Sequence, residues 1–273
     1  MRVSFIICTY KQAPELRAIL ENLKYQTFQD FELVVCEDAE SEEILDIVNE
    51  FRSQREIKLV QHEDSGFRRA KTLNGGVNAS TGDYLIFSDG DCIPHTNFVE
   101  THMALAEESK IVSARRVMLG PNYSRKLIEG KLNIEKVQAY FFYDCWRHFL
   151  DRTDYYEEGL FLDPNSLWRR FFKPRPMRDV LGANLSLHRK DLFKINGFDE
   201  DYVTYGVEDN DLLWRLRHFG IELKSGRNSA ITYHLGKHEL NKGSELVEAN
   251  RILMAEKQKR AEYRCLNGLE KLL

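Results

Sequence analysis

Between Val3 and Ala114 the chain alternates short apolar runs with helix-period stretches, and this order constrains the fold more than any other feature. Val3-Ser-Phe-Ile-Ile-Cys-Thr9 reads as a buried strand. Pro14 then opens a helix at its first turn, with Leu16, Ile19, Leu20 and Leu23 at helical spacing. Phe31 to Cys36 reads as a second strand that ends in Glu37-Asp38. Ser41 is placed as the N-cap of the next helix, whose core face is Ile44, Leu45, Ile47, Val48 and Phe51. Strands follow at Ile57–Val60, Tyr84–Ser88 and Ile111–Ala114, and helices at Arg68–Ala79, interrupted by Gly75-Gly76, and at Asn97–Glu108. This order predicts an α/β fold with a mostly parallel sheet covered on both faces and joined by right-handed crossovers. Ligands of such sheets bind beyond the carboxyl ends of the strands. Thr9-Tyr10, Glu37-Asp38 and Asp89-Gly90-Asp91 all fall on that rim.

The pattern breaks between about Arg115 and Asp179, where aromatic residues crowd in from Tyr140 to Phe172. Most read as core, and a minority could line an acceptor cleft. The run Trp168–Arg178 holds five basic residues and no acid. It reads either as a solvated loop or as a peripheral docking patch for anionic lipid or a phosphate-bearing acceptor. The alternating order returns with a strand inside Val180–His188 and a short helix over Leu192–Ile195 that ends at Gly197. Glu208, Asp209 and Asp211 open a helix that Gly220 ends, and Ala230–His234 is a last strand. Ser244–Leu269 reads as a charged amphipathic tail helix for packing or oligomer contact.

A chain of 273 residues suits one large domain with an extension. The net charge of -4 gives no general basic field for nucleic acid. Five cysteines, odd in number and widely spaced, favour a reducing compartment over a disulfide framework. A strand that starts at Val3 leaves no room for a signal peptide, and no run approaches the roughly 20 apolar residues of a membrane span. A cytoplasmic protein, peripheral to the membrane at most, is expected.

Two carboxylates, Asp89 and Asp91, flank Gly90 at a strand end. They could be a polar turn, or they could face one hard divalent cation such as Mn²⁺ or Mg²⁺. Such a cation would bridge a diphosphate and stabilise it as a leaving group. Arg68, Arg69 and Lys71 could add positive charge to that diphosphate. Asp209 could act as general base toward an acceptor hydroxyl, and Glu208 could hold a second hydroxyl. His234 and His238 could serve the metal, although the HxxxH spacing is weak because His234 ends a strand. Glu239 does not complete a zinc-protease motif. Neither a dinucleotide fingerprint nor a P-loop is present.

Phe5-Ile-Ile-Cys-Thr-Tyr10, Glu37-Asp38, Gly66-Phe-Arg-Arg-Ala-Lys71 and the DXD pattern Ser88-Asp-Gly-Asp91 resemble family 2 glycosyltransferases of the GT-A fold. Asn196-Gly-Phe-Asp-Glu200 and Tyr205–Leu212 resemble the C-terminal half of galactosyl- and N-acetylgalactosaminyltransferases, of the beta-1,4-galactosyltransferase and chondroitin polymerase type. The resemblance covers about residues 1–115 and 180–238. It implies transfer, with inversion, of a hexose or N-acetylhexosamine from a UDP-sugar to a glycan or lipid-linked glycan. Carried over by position, Thr9 and Tyr10 lie by the nucleobase, and Asp38 binds uracil, with Glu37 in place of the usual Asp. Arg68 and Lys71 lie near the base or phosphates. Asp89, with Gly90 in the same turn, touches ribose or donor sugar. Asp91 ligates the metal, with His234 as the late ligand and His238 as the alternative. Asp209 is the base, and Glu208 binds hydroxyls. The chain departs from the pattern at Tyr205-Gly206-Val207, where relatives commonly read Trp-Gly-Gly.

The resemblance divides the chain into a transferase domain over 1–240 and a helical extension over 241–273. Within the first lie a nucleotide-sugar half (1–115), an acceptor-side insertion (116–179) and a catalytic-base half (180–240). A sugar nucleotidyltransferase and a non-catalytic nucleotide-sugar-binding module are the rival readings.

Overall fold

The computed structural model describes residues 1–171, 174–236 and 245–272. His238 and Glu239, and Phe172 and Lys173 of the basic run, therefore lie outside the described residues. Among the described residues the strands are β1 (Val3–Thr9), β2 (Glu32–Glu37), β3 (Ile57–Gln61), β4 (Tyr84–Asp89), β5 (Cys92–Pro94), β6 (Lys110–Ser113), β7 (Arg116–Met118), β8 (Asn184–His188), β9 (Glu222–Ser225) and β10 (Thr232–His234). The helices are α1 (Ala13–Asn22), α2 (Glu42–Phe51), α3 (Arg69–Ala79), α4 (Phe98–Leu105), α5 (Pro121–Ile128), α6 (Ile134–Tyr140), α7 (Cys145–Leu150), α8 (Trp168–Phe171), α9 (Arg189–Lys194), α10 (Glu208–His218) and α11 (Glu245–Lys259).

Seven strands form one sheet in the order β3-β2-β1-β4-β8-β6-β9. The expected parallel pairing holds among β1, β2, β3 and β4, and β9, which was not foreseen, adds in parallel to β6. Only β8 runs antiparallel to its neighbours β4 and β6. Side chains alternate across this sheet, as a pleat requires. Phe5, Ile7, Leu33, Val35 and Ile86 pack on α1, α2 and α4. Ile6, Cys8, Val34, Leu85 and Phe87 pack under α3, α9 and α10. Both faces are therefore dry, which is why these strands read as continuous apolar runs. Ser41 caps α2, its Oγ accepting from the Ile44 N–H at 3.3 Å.

A second sheet, β5-β10-β7, sits at the strand-end rim. Its three-residue strands carry too few alternations for periodicity to reveal, so β5 and β7 were not foreseen. Two helix expectations also change. Gly75-Gly76 does not interrupt α3; a Cβ on Gly76 would lie 2.3 Å from Cys36 Sγ, so glycine lets the helix lie close to β2. The tail helix stops at Lys259, and the chain then folds back so that Asn196 Nδ2 donates to the carbonyls of Cys265 and Glu270, each at 2.8 Å. All five cysteines are free thiols. Burial pushes the Cys8 thiol up to about 12, which makes it a hydrophobe rather than a nucleophile.

Candidate active site

The rim is built first around the turn after β4. Gly90 N donates to the Cys8 carbonyl at 2.6 Å, folding the turn back onto β1. A Cβ at Gly90 would come within 2.4 Å of Thr9 Cβ, so the turn accepts glycine alone. The two flanking carboxylates take separate partners. Asp89 Oδ1 accepts from Arg69 Nη2 at 2.9 Å, and its Oδ2 lies 3.4 Å from Arg116 Nη1. Asp91 is buried; its Oδ2 accepts from Gln12 Nε2 at 3.0 Å and lies 3.2 Å from His234 Nε2.

The Asp91–His234 pair fits a divalent cation on the chemistry of its donors. His234 Nδ1 stands 2.8 Å from the Gly236 carbonyl, to which it donates, and this contact holds the ring in place. Its Nε2 faces the Asp91 carboxylate oxygen 3.2 Å away. Adjacent ligands of an octahedral ion at ordinary bond lengths are separated by about 3 Å. Backbone anchoring of the second nitrogen is also how metal-ligating histidines are held. A second acid cluster, Asp199, Asp201 and Glu262, does not compete for a cation. Lys257 Nζ sits among its three carboxylates at 2.7, 2.7 and 2.9 Å and occupies the place a metal ion would take.

Glu208 and Asp209 enter from the first turn of α10. Gly182 N donates to Asp209 Oδ2 at 2.7 Å, and Arg69 Nη1 lies 3.7 Å from Oδ1. Burial raises the Asp209 carboxyl above the usual range, against the pull of Arg69 and the Gly182 N–H. Burial, then the charge of Asp209, raises Glu208 as well. Arg69 is the node of the site: it joins Asp89, at the end of β4, to Asp209 on α10. Although burial opposes its charge, those two carboxylates hold its guanidinium well above its ordinary range.

Of the three cations after β3, the structure brings Arg69 into the centre. Arg68 uses its backbone N–H to donate to Asp38 Oδ2 at 2.8 Å and reaches the Val203 carbonyl with Nη1 at 3.3 Å. Lys71 is exposed on α3. Around the expected nucleobase position, Thr9 and Asp38 are buried and Tyr10 is exposed. Asp38 Oδ1 accepts from Thr72 Oγ1 at 3.0 Å and lies 3.1 Å from His62 Nε2. Glu37 is buried, accepting from Gln61 Nε2 at 2.7 Å, and burial raises its carboxyl. Arg116, Gln12 and Gly182 were not foreseen. Each lies in a stretch with no motif, and only the packing brings it to the acids.

A cleft of about 250 Å³ opens beside Asp209, lined by Arg115, Val180, Tyr205, Val207, Glu208 and Asn210 among others. Its floor is strained. Val207 caps α10 with φ +79°, directly after Gly206 at φ +98°. A β-branched residue is poorly suited to that left-handed region. Val207→Gly is expected to raise the urea midpoint by about 1 kcal/mol of stability, since relief of about 1–2 kcal/mol exceeds the added chain entropy of glycine. A lowered midpoint would show that the strain is absent.

The loop is held from the far end of the chain. Asn250 is buried on α11, and its Nδ2 donates to the carbonyls of Thr204 at 2.9 Å and Gly206 at 2.8 Å. Asn250→Ala leaves those carbonyls without that donor. It is expected to cost about 1–3 kcal/mol in thermal unfolding and to lower kcat/KM about tenfold by loosening the loop before Asp209. Unchanged kinetics in a folded variant would remove α11 from the site.

The profile described as Glycosyl transferase family 2 matches residues 4–173, and that described as N-terminal domain of galactosyltransferase matches residues 167–239. A validoxylamine A glucosyltransferase of Streptomyces hygroscopicus subsp. jinggangensis is 28% identical over 92% of this chain and 60% of its own length. A chondroitin synthase of Escherichia coli is 29% identical over 85% of this chain and 34% of its own. The chain thus spans between a third and three fifths of these two relatives. Among solved structures, the mannosyltransferase PcManGT from Pyrobaculum calidifontis, in complex with GDP-Man and Mn²⁺, superposes with a TM-score of 0.59 at 16% identity, over 96% of this chain and 67% of that one. TarS of S. aureus, in complex with UDP-GlcNAc, gives 0.58 at 17% identity, over 100% of this chain and 69% of that one. These last two likenesses establish the GT-A fold. With the first profile covering well over half of a chain that has this fold, the protein belongs to glycosyl transferase family 2.

Proposed function

We propose that this glycosyltransferase works with inversion and a divalent metal, Mn²⁺ or Mg²⁺. It moves a hexose or N-acetylhexosamine, with galactose or N-acetylgalactosamine favoured, from a UDP-sugar to a hydroxyl of a glycan or lipid-linked glycan. The carrying observation is the position of Asp209: at the mouth of a cleft, fixed by Gly182 N–H, and joined to the donor-side Asp89 through Arg69.

In this reading Asp209 accepts the proton of the acceptor hydroxyl as that oxygen bonds to the anomeric carbon from the face opposite the diphosphate. The bond from that carbon to the phosphate oxygen breaks, and its electron pair leaves with UDP. Arg69 opposes the effect of burial and favours the ionised form of Asp209 for this task. Glu208, whose carboxyl is raised by burial, holds a sugar hydroxyl beside it. Arg116 and Arg69 face the negative charge of the donor from Asp89's side. Asp91 and His234 would hold the ion, which when bound supplies Lewis-acid stabilisation to the leaving diphosphate. Thr9, Tyr10, Glu37, Asp38, Arg68 and Lys71 form the expected base and phosphate side, with Asp89 and Gly90 under the ribose or donor sugar.

A panel of UDP-sugars with Mn²⁺, scored for UDP release with and without glycan acceptors, tests this reading. Acceptor-stimulated UDP release with one sugar supports it. Pyrophosphate as the product, or tight UDP-sugar binding with no turnover across the acceptor panel, overturns it.

A further inference from the structure

The helical run from α6 through α7 is apolar on two faces. Ile134, Val137, Phe141 and His148 are buried and form its inner stripe. Burial holds the His148 imidazole down at about 4, so it is neutral and belongs to that interior. On the outer face Tyr140, Phe142, Tyr143, Trp146, Phe149 and Leu150 stand between 56% and 81% exposed. Trp146, Phe149 and Leu150 stand at helical spacing on α7, and Phe142 and Tyr143, whose ring centroids are 5.8 Å apart, stand in the turn just before it, so the exposure is one contiguous stretch and not scattered residues. Helices of soluble proteins turn polar residues to that side.

A cleft of about 760 Å³ adjoins this surface, between α5, α6 and α7, and Tyr140, Arg147 and Leu150 belong to both. Its lining includes Arg125, Lys126, Lys131, Lys136 and Arg147. The two acids in the lining are engaged. Asp151 accepts from the backbone N–H groups of Asn122 and Tyr123, each at 3.0 Å. Asp144 pairs with Arg147 at 3.2 Å. Lys131 is paired with Glu129 outside the lining. Arg125, Lys126 and Lys136 form no ion pair among the described residues, although Arg125 acts at longer range on Glu129. Arg147 lies over the Trp146 ring at 5.3 Å, placing a cation at the edge of the aromatic face.

We infer that this face docks the protein on an anionic phospholipid surface. A glycan would account for cations and stacked tyrosines within the cleft, but not for Phe142, Phe149 and Leu150 projecting outside it. A second copy of the chain would cover the apolar face but would bring the same cations against themselves. An anionic bilayer satisfies both halves. Trp and Tyr prefer the headgroup layer, Phe and Leu enter the acyl boundary, and Lys and Arg meet phosphate. No helix among the described residues is long and apolar enough to cross a membrane, so contact would be peripheral. The face is distinct from Trp168–Arg178, where Arg169 is occupied by Ser229 and by the Ser225 carbonyl.

The test is co-sedimentation of the full chain with sucrose-loaded vesicles of phosphatidylglycerol and phosphatidylcholine, and of phosphatidylcholine alone, at low and high salt. The expected result is sedimentation with the anionic vesicles only, weakened by salt, with a blue shift of Trp fluorescence. The double variant Trp146→Ala/Phe149→Ala is expected to lose binding at least tenfold and Lys126→Glu/Lys136→Glu at least as much, at about fivefold or more per cation. All four positions are exposed, so the variants retain the fold, and their UDP release in solution stays at the level of the unaltered chain. Equal binding to neutral vesicles overturns the inference. So does vesicle binding that survives both double variants, release by inorganic phosphate at matched ionic strength, or a dimer in the absence of lipid that Trp146→Ala/Phe149→Ala converts to monomer. No substrate enters the binding assay, so failure here leaves the proposed transfer reaction standing.

Discussion

Asp209→Asn is expected to lower kcat about a thousandfold, within the range of general-base contributions, while UDP-sugar affinity stays within about twofold. The asparagine keeps the size of the side chain and can still meet the Gly182 N–H through its carbonyl oxygen. It cannot take a proton. Arg69 keeps Asp89 as its partner at 2.9 Å, so the donor side remains assembled. Donor binding measured by calorimetry and single-turnover transfer separate the two effects. Near-normal transfer by the variant would remove Asp209 from the base role.

The same carboxylate sets the acid side of the pH profile. Burial raises the Asp209 carboxyl, and burial with the Asp209 charge raises Glu208. The base must be ionised, so activity falls as pH is lowered through a raised carboxyl, at higher pH than an exposed aspartate would give. Glu208→Gln removes one negative charge from the pair. The stability sign runs the opposite way from a salt-bridged acid. A folded-state carboxyl raised above its unfolded value favours the fold at low pH, and that contribution is lost as pH rises through the raised value. Glu208→Gln should therefore flatten the decline in stability between mildly acidic and neutral pH.

Asp91→Asn and His234→Ala are expected to abolish stabilisation by Mn²⁺ plus UDP and to lower transfer at least a hundredfold. A ligand at about 100 times its dissociation constant stabilises the native state by about 2.7 kcal/mol, a shift of about 5 °C in a chain of this size. The unaltered protein should show that shift in thermal unfolding, and chelation should erase it. Asp91 Oδ2 and His234 Nε2 lie 3.2 Å apart on the second sheet, where β10 pairs with β5, so either variant removes one of two adjacent donors. A metal-dependent shift that persists in both variants would place the ion elsewhere.

The acids were legible in sequence because they stand where apolar runs stop. Leu85 to Ser88 is buried without a break, and Asp89 follows at the edge of the sheet. Glu208 and Asp209 were legible because they open a helix whose Leu212, Leu213 and Leu216 face the core. Arg69 was harder to single out. Three cations crowd the start of α3, and successive residues of a helix point about 100° apart. Which one reaches the acids depends on how α3 lies on β2, and Gly76 against Cys36 decides that. Asn250 was hidden for a different reason. An amphipathic tail helix does not announce that one amide on it will hold two carbonyls of the loop before Asp209.

The sequence by itself determined the α/β order, the buried parallel strands and the acids at their ends, because burial on two faces and helical period both leave local signatures. Only the tertiary structure decided that Asp89 meets Arg69 and Arg116, and that Asp91 meets His234 through a sheet of three-residue strands. It also decided that Val207 carries a left-handed backbone under the α11 clamp. Those contacts join segments far apart in the chain. They are fixed by how close helices and strands can pack, and neighbouring residues carry no trace of that.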